Sequence, residues 1–296
     1  MTKDGWGWRA PVRLAAMAIW LAACVTAYYL LALLPGRNPV PPVFLAGLAF
    51  IAGVDIRIEG TAPRRAMLLA NHVSWIDIPA LAATARSAFV AHDGLQGHPV
   101  LRRLCEMNDT VFIARSQRHT VSRQVDQIRA AIDECDVLTL FPEGTTGPGT
   151  ALLPIKSSLL SAIDPPPPDV PVVPVLLHYA QAADIAWVGD EPGVDNFLQI
   201  LRRARPVELT VHFLRPLEGE ELAGRKVPDK LRDSITRQHA DLLRQLHLQQ
   251  VFEQQRAALD GAEVRKARPK DFGEKDEVTK AFRSATGDFA GTLGGS

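Results

Sequence analysis

Leu14 through Leu34 is a run of 21 residues without a single charge, LAAMAIWLAACVTAYYLLALL. As a helix rising about 1.5 Å per residue it would be about 31 Å long, which matches the hydrocarbon core of a bilayer. A membrane helix is therefore expected. Arg9 and Arg13 precede the run, Trp6, Trp8, Tyr28 and Tyr29 lie toward its two ends, and Pro35-Gly36 stops it. Leu21-Ala22-Ala23-Cys24 resembles a bacterial lipoprotein cleavage box, but the apolar run continues for ten residues past Cys24. A processed protein should turn polar there, so the uncleaved anchor is preferred.

Lys3, Arg9 and Arg13 outnumber Arg37 as flanking charges, so a single span would hold the amino terminus in the cytoplasm and everything after it outside. A second apolar stretch, Val40 to Val54, is short for a span and suits a re-entrant or interfacial helix. Pro35, Pro39, Pro41 and Pro42 would make the corner between the two. The sequence thus predicts an N-terminal membrane helical hairpin over residues 1–54. It either enters one leaflet or spans and returns, which leaves the rest of the chain on the cytoplasmic face. One ordinary span followed by a core helix is the alternative.

The 296 residues carry 33 Lys+Arg against 33 Asp+Glu, so no net positive charge exists to neutralise phosphates and a nucleic-acid partner is not expected. An apolar content of 47% excludes overall disorder. Cys24, Cys105 and Cys135 are odd in number and lack CxxC spacing, so they read as buried reduced thiols rather than a disulfide framework or a zinc cluster.

From Asp55 the pattern changes to short β-rich runs alternating with amphipathic helices. That alternation predicts an α/β domain over 55–260, a mixed, mostly parallel sheet flanked by helices. Strands are expected at Asp55–Glu59, Ala66–Ala70, Ala88–Ala91, Thr110–Ala114, Val137–Phe141, Val170–Leu177, Ile185–Val188 and Val207–Phe213. Val121, Val125, Ile128 and Ile132 give one helix its apolar stripe. Asp164-Pro-Pro-Pro-Pro-Asp169 is a stiff connector, Asp229–Leu259 reads as helical, and 261–296 reads as a disordered tail.

Two segments carry chemistry. Asn71-His72-Val73-Ser74-Trp75-Ile76-Asp77 follows the apolar run MLLA directly, which places a histidine where a strand ends and a helix begins. An imidazole can remove a proton near neutrality, and a carboxylate beside it fixes its tautomer. On one helix, five residues would turn Asp77 about 140° away from His72, so the pair requires His72 in the loop before the helix. Pro79 agrees, because proline prefers a first helical turn. The same residues also satisfy a helix capping box, Ser74-x-x-Asp77, in which His72 need only bond to backbone. The second segment, Phe141-Pro142-Glu143-Gly144-Thr145-Thr146-Gly147-Pro148-Gly149, again follows an apolar strand. Its glycines allow tight turns that present N–H groups to an anion or polar head group, and Glu143 and the hydroxyls can orient a ligand.

Together these segments resemble the glycerolipid acyltransferase family typified by 1-acyl-sn-glycerol-3-phosphate acyltransferase. That family carries NHxSxxD (its HxxxxD motif) followed some 70 residues later by FPEGT, and here His72 and Glu143 are 71 positions apart. Val111-Phe112-Ile113-Ala114-Arg115 is similar to the third block of the family, and Val170 to Val175 to the fourth. The resemblance implies that His72 is a general base deprotonating a lysolipid hydroxyl, with Asp77 orienting it. Arg115, Glu143, Gly144, Thr145 and Thr146 would bind the acceptor, and Asn71, Ser74, Phe141 and Pro142 would support the site. The implied donor is acyl-CoA or acyl carrier protein, the third partner is the lipid bilayer, and no metal or resident cofactor is implied. Location at the inner membrane of a bacterium, on its cytoplasmic face, goes with this reading.

Phosphatidic acid is the leading expected product, from lysophosphatidate. Two departures bear on that acceptor. Many phosphatidate-forming members read EGTR where Thr146 stands here, and a lysine of the second block is matched by His92. Fewer cations suit a phosphomonoester less well. The segments Leu153 to Ser158 and Ala186 to Asp190 look more like a bacterial subgroup that includes lyso-ornithine lipid acyltransferases, with Lys156 available as a cation. His92 and His98 lack the spacing of HExxH, and no GxSxG elbow exists. A silent membrane-anchored lipid-binding module and a thioester hydrolase are the other readings.

Overall fold

The structure, a computed structural model, describes residues 7–92, 111–113, 130–160, 170–218, 222 and 227–266. Two compact units divide the chain, Met1–Leu243 and Arg244–Ser296. In the second, the described residues are the continuation of one helix as far as Lys266. The remainder of the expected tail, the Asp164–Asp169 connector and most of the Val121–Ile132 helix lie outside the described residues.

The first unit holds a mixed seven-stranded sheet in the order β1-β7-β6-β2-β5-β3-β4. Its strands are β1 (Val54–Glu59), β2 (Ala66–Ala70), β3 (Ala88–His92), β4 (Val111–Ile113), β5 (Val137–Leu140), β6 (Val172–Tyr179) and β7 (Val207–Phe213). All neighbouring pairs are parallel except β6 with β7. Strand β2 is wholly buried, Ala-Met-Leu-Leu-Ala, because a central parallel strand has helices or loops on both faces and no polar side to show. Its alternate side chains feed two cores. Leu68 and Ala70 join Val175, Leu177 and Val211 on one face, while Met67 and Leu69 join Leu138, Ile132 and Ile235 on the other.

The helices are α1 (Arg9–Leu31), α2 (Val40–Ala52), α3 (Asp77–Ala85), α4 (Ser157–Leu160), α5 (Ala182–Ile185), α6 (Gly193–Arg202) and α7 (Val227–Lys266). A further helical turn occupies 130–135. The predicted strand at Ile185–Val188 does not form. Ile185 instead ends α5, and the Trp187 N–H donates to the Val73 carbonyl at 2.9 Å, so this apolar run closes against a loop.

Helices α1 and α2 do form a hairpin, but both ends of α1 are fastened to the sheet domain. At its start, Arg13 Nη1 donates to the carbonyls of Leu201 (3.1 Å) and Arg203 (3.3 Å) at the end of α6. Past its end, Arg37 Nη1 donates to the Cys135 carbonyl at 2.9 Å. Arg13 and Arg37 are therefore structural contacts as well as flanking charges. These contacts fix the hairpin to the domain at Arg13 and Arg37. Ala10, Met17, Ala52 and Leu201 bury one side of the hairpin, whereas Ile19 (72% exposed), Leu33 (82%) and Phe50 (83%) remain bare. Such a large uncovered apolar surface suits association with a membrane, and α1 is long and apolar enough to cross one.

Arg13 also occupies the space beside Gly53, where the backbone is left-handed and a Cβ would lie 2.6 Å from Nη2. Arg13→Ala is expected to remove a cation from the α6 carboxyl end and cost about 1–2 kcal/mol. Urea unfolding in detergent measures this, and faster proteolysis between α1 and α2 should accompany it.

Candidate active site

Strands β6, β2 and β5 are adjacent and mutually parallel, so their carboxyl ends open on one edge of the sheet. His72 follows β2, Phe141 follows β5, and Tyr179 closes β6. The edge beyond the carboxyl ends of parallel strands is where α/β proteins place ligands.

Asn71 extends the β2–β6 ladder with its side chain. Its Oδ1 accepts from the Leu177 N–H at 2.7 Å and its Nδ2 donates to the Leu177 carbonyl at 3.1 Å. An amide in this position imitates one more strand residue, and the chain can leave the sheet without stranding Leu177.

Helix α3 starts at Asp77, so His72 lies in the preceding loop as the pairing requires. His72 Nδ1 stands 2.7 Å from Asp77 Oδ2. The same oxygen accepts from the N–H groups of Val73 (2.6 Å) and Ser74 (2.9 Å), and Oδ1 accepts from Tyr179 Oη at 2.5 Å. Asp77 is completely buried, while the His72 side chain keeps 19% of its surface open. A buried carboxylate needs this many donors. Among the described residues only the returning half of the capping box exists, because Ser74 Oγ is buried with no partner there and α3 has no side-chain cap.

Phe141 stacks on the imidazole with ring centres 4.2 Å apart, which fixes the plane of His72. Pro142 is buried and its carbonyl accepts from the Lys156 N–H at 2.9 Å.

Glu143, expected to face the acceptor, turns inward and is 2% exposed. Its Oε1 accepts from the His72 N–H at 3.3 Å and its Oε2 from the Leu153 N–H at 3.1 Å. Burial pushes its carboxyl up to about 7, against the lowering effect of those two backbone bonds. The Gly147 N–H in turn donates to the His72 carbonyl at 2.7 Å, so the two loops hold each other from both sides. Gly144 takes a left-handed conformation at φ +67°, Thr145 is exposed and Thr146 half-buried. Lys156 is exposed, and its Nζ lies 3.1 Å from where a Cβ on Gly144 would stand. Arg115 lies outside the described residues, two positions past the end of β4.

Tyr179 was not among the residues expected here. Its strand runs two residues past the predicted end, since His178 and Tyr179 pair with Thr210 and Leu209 of β7, and this pairing brings the phenol to Asp77. An aromatic residue just after an apolar run was the available signal.

A partly open imidazole backed by a buried carboxylate, at the carboxyl edge of a parallel sheet, is an arrangement chemically able to accept a proton. Residues 54–178 match the Acyltransferase family. A lyso-ornithine lipid O-acyltransferase from Rhizobium meliloti (strain 1021) is 33% identical over 198 residues, 61% of this chain and 68% of that protein. One from Pseudomonas aeruginosa is 32% identical over 222 residues, 71% of this chain and 83% of that protein. A 1-acyl-sn-glycerol-3-phosphate acyltransferase from Neisseria gonorrhoeae is 36% identical over 134 residues, 41% of this chain and 50% of that protein. Among solved structures, the 1-acyl-sn-glycerophosphate (LPA) acyltransferase PlsC from Thermotoga maritima shares the fold with a TM-score of 0.52. That similarity covers 80% of this chain and 98% of that one, at 18% identity. The chain belongs to the acyltransferase family.

Proposed function

We propose that the protein transfers a fatty acyl group from a thioester, acyl-CoA or acyl carrier protein, to the hydroxyl of a lysolipid. The His72 Nδ1 contact to buried Asp77 carries this reading. With Nδ1–H donated to the carboxylate, Nε2 is the free acceptor on the open side of the ring. The lysolipid oxygen attacks the thioester carbonyl carbon while its proton passes to Nε2. The tetrahedral oxyanion then collapses, the C–S bond breaks, and the imidazolium returns the proton to the departing thiolate. No resident cofactor is needed for these steps. Residue groupings 1–54, 55–260 and 261–296 correspond in this reading to anchor, acyl-transfer domain and tail. The bare apolar residues of the hairpin hold the site at the cytoplasmic face of a bacterial inner membrane, where both lipids partition.

Of the two acceptors, lyso-ornithine lipid is favoured by the length over which relatives acting on it match, and by Thr146 and Lys156. Ornithine is an amino acid, and one ammonium beside Gly144 suits one carboxylate. Lysophosphatidate, giving phosphatidic acid, is favoured by the higher identity of the Neisseria relative. Membranes containing the protein, labelled acyl-CoA and both lysolipids in competition decide between them by the labelled product. Free fatty acid without labelled diacyl lipid would replace the transfer reading with hydrolysis. Lys156→Gln is expected to raise the acceptor KM by about tenfold, the scale of one charge-assisted hydrogen bond at an exposed site, with a smaller change in kcat. An unchanged KM would remove Lys156 from head-group recognition.

A further inference from the structure

Asp77 Oδ2 gathers three donors, the His72 ring and the N–H groups of Val73 and Ser74. Among the described residues Oδ1 has one, the Tyr179 hydroxyl. A carboxylate turns readily about its terminal bond, and a buried oxygen left without a donor would draw the group round to share those on the other side. We propose that Tyr179 is a positioning residue for acyl transfer, its phenol locking the rotation of Asp77 so that Oδ2 alone meets His72 Nδ1. This rests on the reading of His72 as the base.

The surroundings of Tyr179 support that role. It is 2% exposed, sits at the carboxyl end of β6, and is held there by pairing with Leu209 across the antiparallel β7. Its ring belongs to the same apolar cluster as Val73 and Ile76 of the His72 loop, so phenol and carboxylate have one relative placement. Burial and the Asp77 charge both push the phenol well above its ordinary range, which keeps it a donor throughout neutral pH. Tyr179 is buried, and its hydroxyl meets the base through Asp77. The remaining ionisable group that meets the pair, among the described residues, is Glu143, through the His72 N–H.

Tyr179→Phe removes one oxygen and keeps the ring. The expected result is a fall in kcat of about tenfold with KM for both substrates within twofold, as a charged hydrogen bond acting only on the base should give. The acid limb of the kcat/KM profile should move to higher pH, because a carboxylate with one donor fewer holds the imidazolium more strongly. In an Asp77→Asn background the same change should have no further effect on kcat. Because Tyr28, Tyr29 and Tyr179 are the only tyrosines, uniform 3-fluorotyrosine with Tyr28 and Tyr29 replaced by Phe places a stronger donor at Asp77 while keeping the ring and its hydroxyl. It should move the acid limb the opposite way. A lowered melting temperature with kcat and pH profile unchanged in both forms would reduce Tyr179 to a packing residue and overturn the inference. Absence of acyl transfer by the wild-type protein would instead overturn the reading of the reaction.

Discussion

Replacing His72 by alanine is expected to lower kcat for acyl transfer by about 10²–10⁴-fold, the usual contribution of a positioned general base. The loss should fall on kcat more than on the KM of either substrate. An imidazole whose Nδ1 is held by buried Asp77 has only Nε2 to offer, and the benefit of that nitrogen arises as the proton moves. Asp77→Asn tests the same pair from the other side. Its amide can still face Val73 and Ser74 through one oxygen, but the negative charge opposite the ring is gone. A drop of about 10²-fold or more is expected, with the loop largely in place. Initial rates with acyl-CoA over a range of acceptor concentrations measure both variants. Turnover by the His72 variant within threefold of wild type would remove the imidazole from the chemistry.

The His72–Asp77 pair was legible in the sequence because everything that makes it is local. A five-residue offset, a proline after the acid and an apolar strand before the histidine together place one residue in a loop and the other on the first turn of α3. Strand β2 was likewise readable to the residue, since an uninterrupted apolar run of this length fits a fully buried strand and is too short for a buried helix. Long-range features were not readable. Whether Glu143 faces ligand or protein depends on where the Leu153 and His72 N–H groups come to rest, ten and 71 residues away. Tyr179 reaches Asp77 only because β7 prolongs β6 by antiparallel pairing. The Ile185–Val188 run has strand composition, but Ile185 ends a helix and Trp187 pairs with the Val73 loop instead. The hairpin lay between these cases. Its two apolar helices follow from composition, whereas its position along the domain is set by Arg13 and Arg37, whose acceptors are the carbonyls of residues more than ninety positions distant.

Glu143→Gln is expected to slow the reaction and to abolish a stability term that depends on pH. One amide oxygen cannot replace two carboxylate oxygens, and the NH₂ group that takes the place of the other must face a backbone N–H of His72 or Leu153. Either outcome loosens the His72 loop, so kcat should fall by about 10–100-fold with the acceptor KM little changed, since Glu143 is turned away from solvent. The pH dependence follows from its carboxyl, raised by burial from an ordinary 4.5 to about 7. In the unfolded chain the group ionises first, so the folded state binds more protons between those values and folding becomes less favourable as pH rises through the window. Below about 4.5 Glu143 costs nothing, above about 7 the cost is constant, and the difference is about 3 kcal/mol, at 1.36 kcal/mol per unit. Subtracting the unfolding free energy of the glutamine variant from that of wild type across this range should therefore give a difference that falls with rising pH and then levels. Within the same window protonation of Glu143 removes one acceptor from the backbone N–H groups that tie the two loops, and wild-type activity should decline toward acid for this reason. A stability difference between the two proteins that stays flat from pH 4.5 to 7 would show that the Glu143 carboxyl is not held in the buried, doubly bonded position that ties the two loops together.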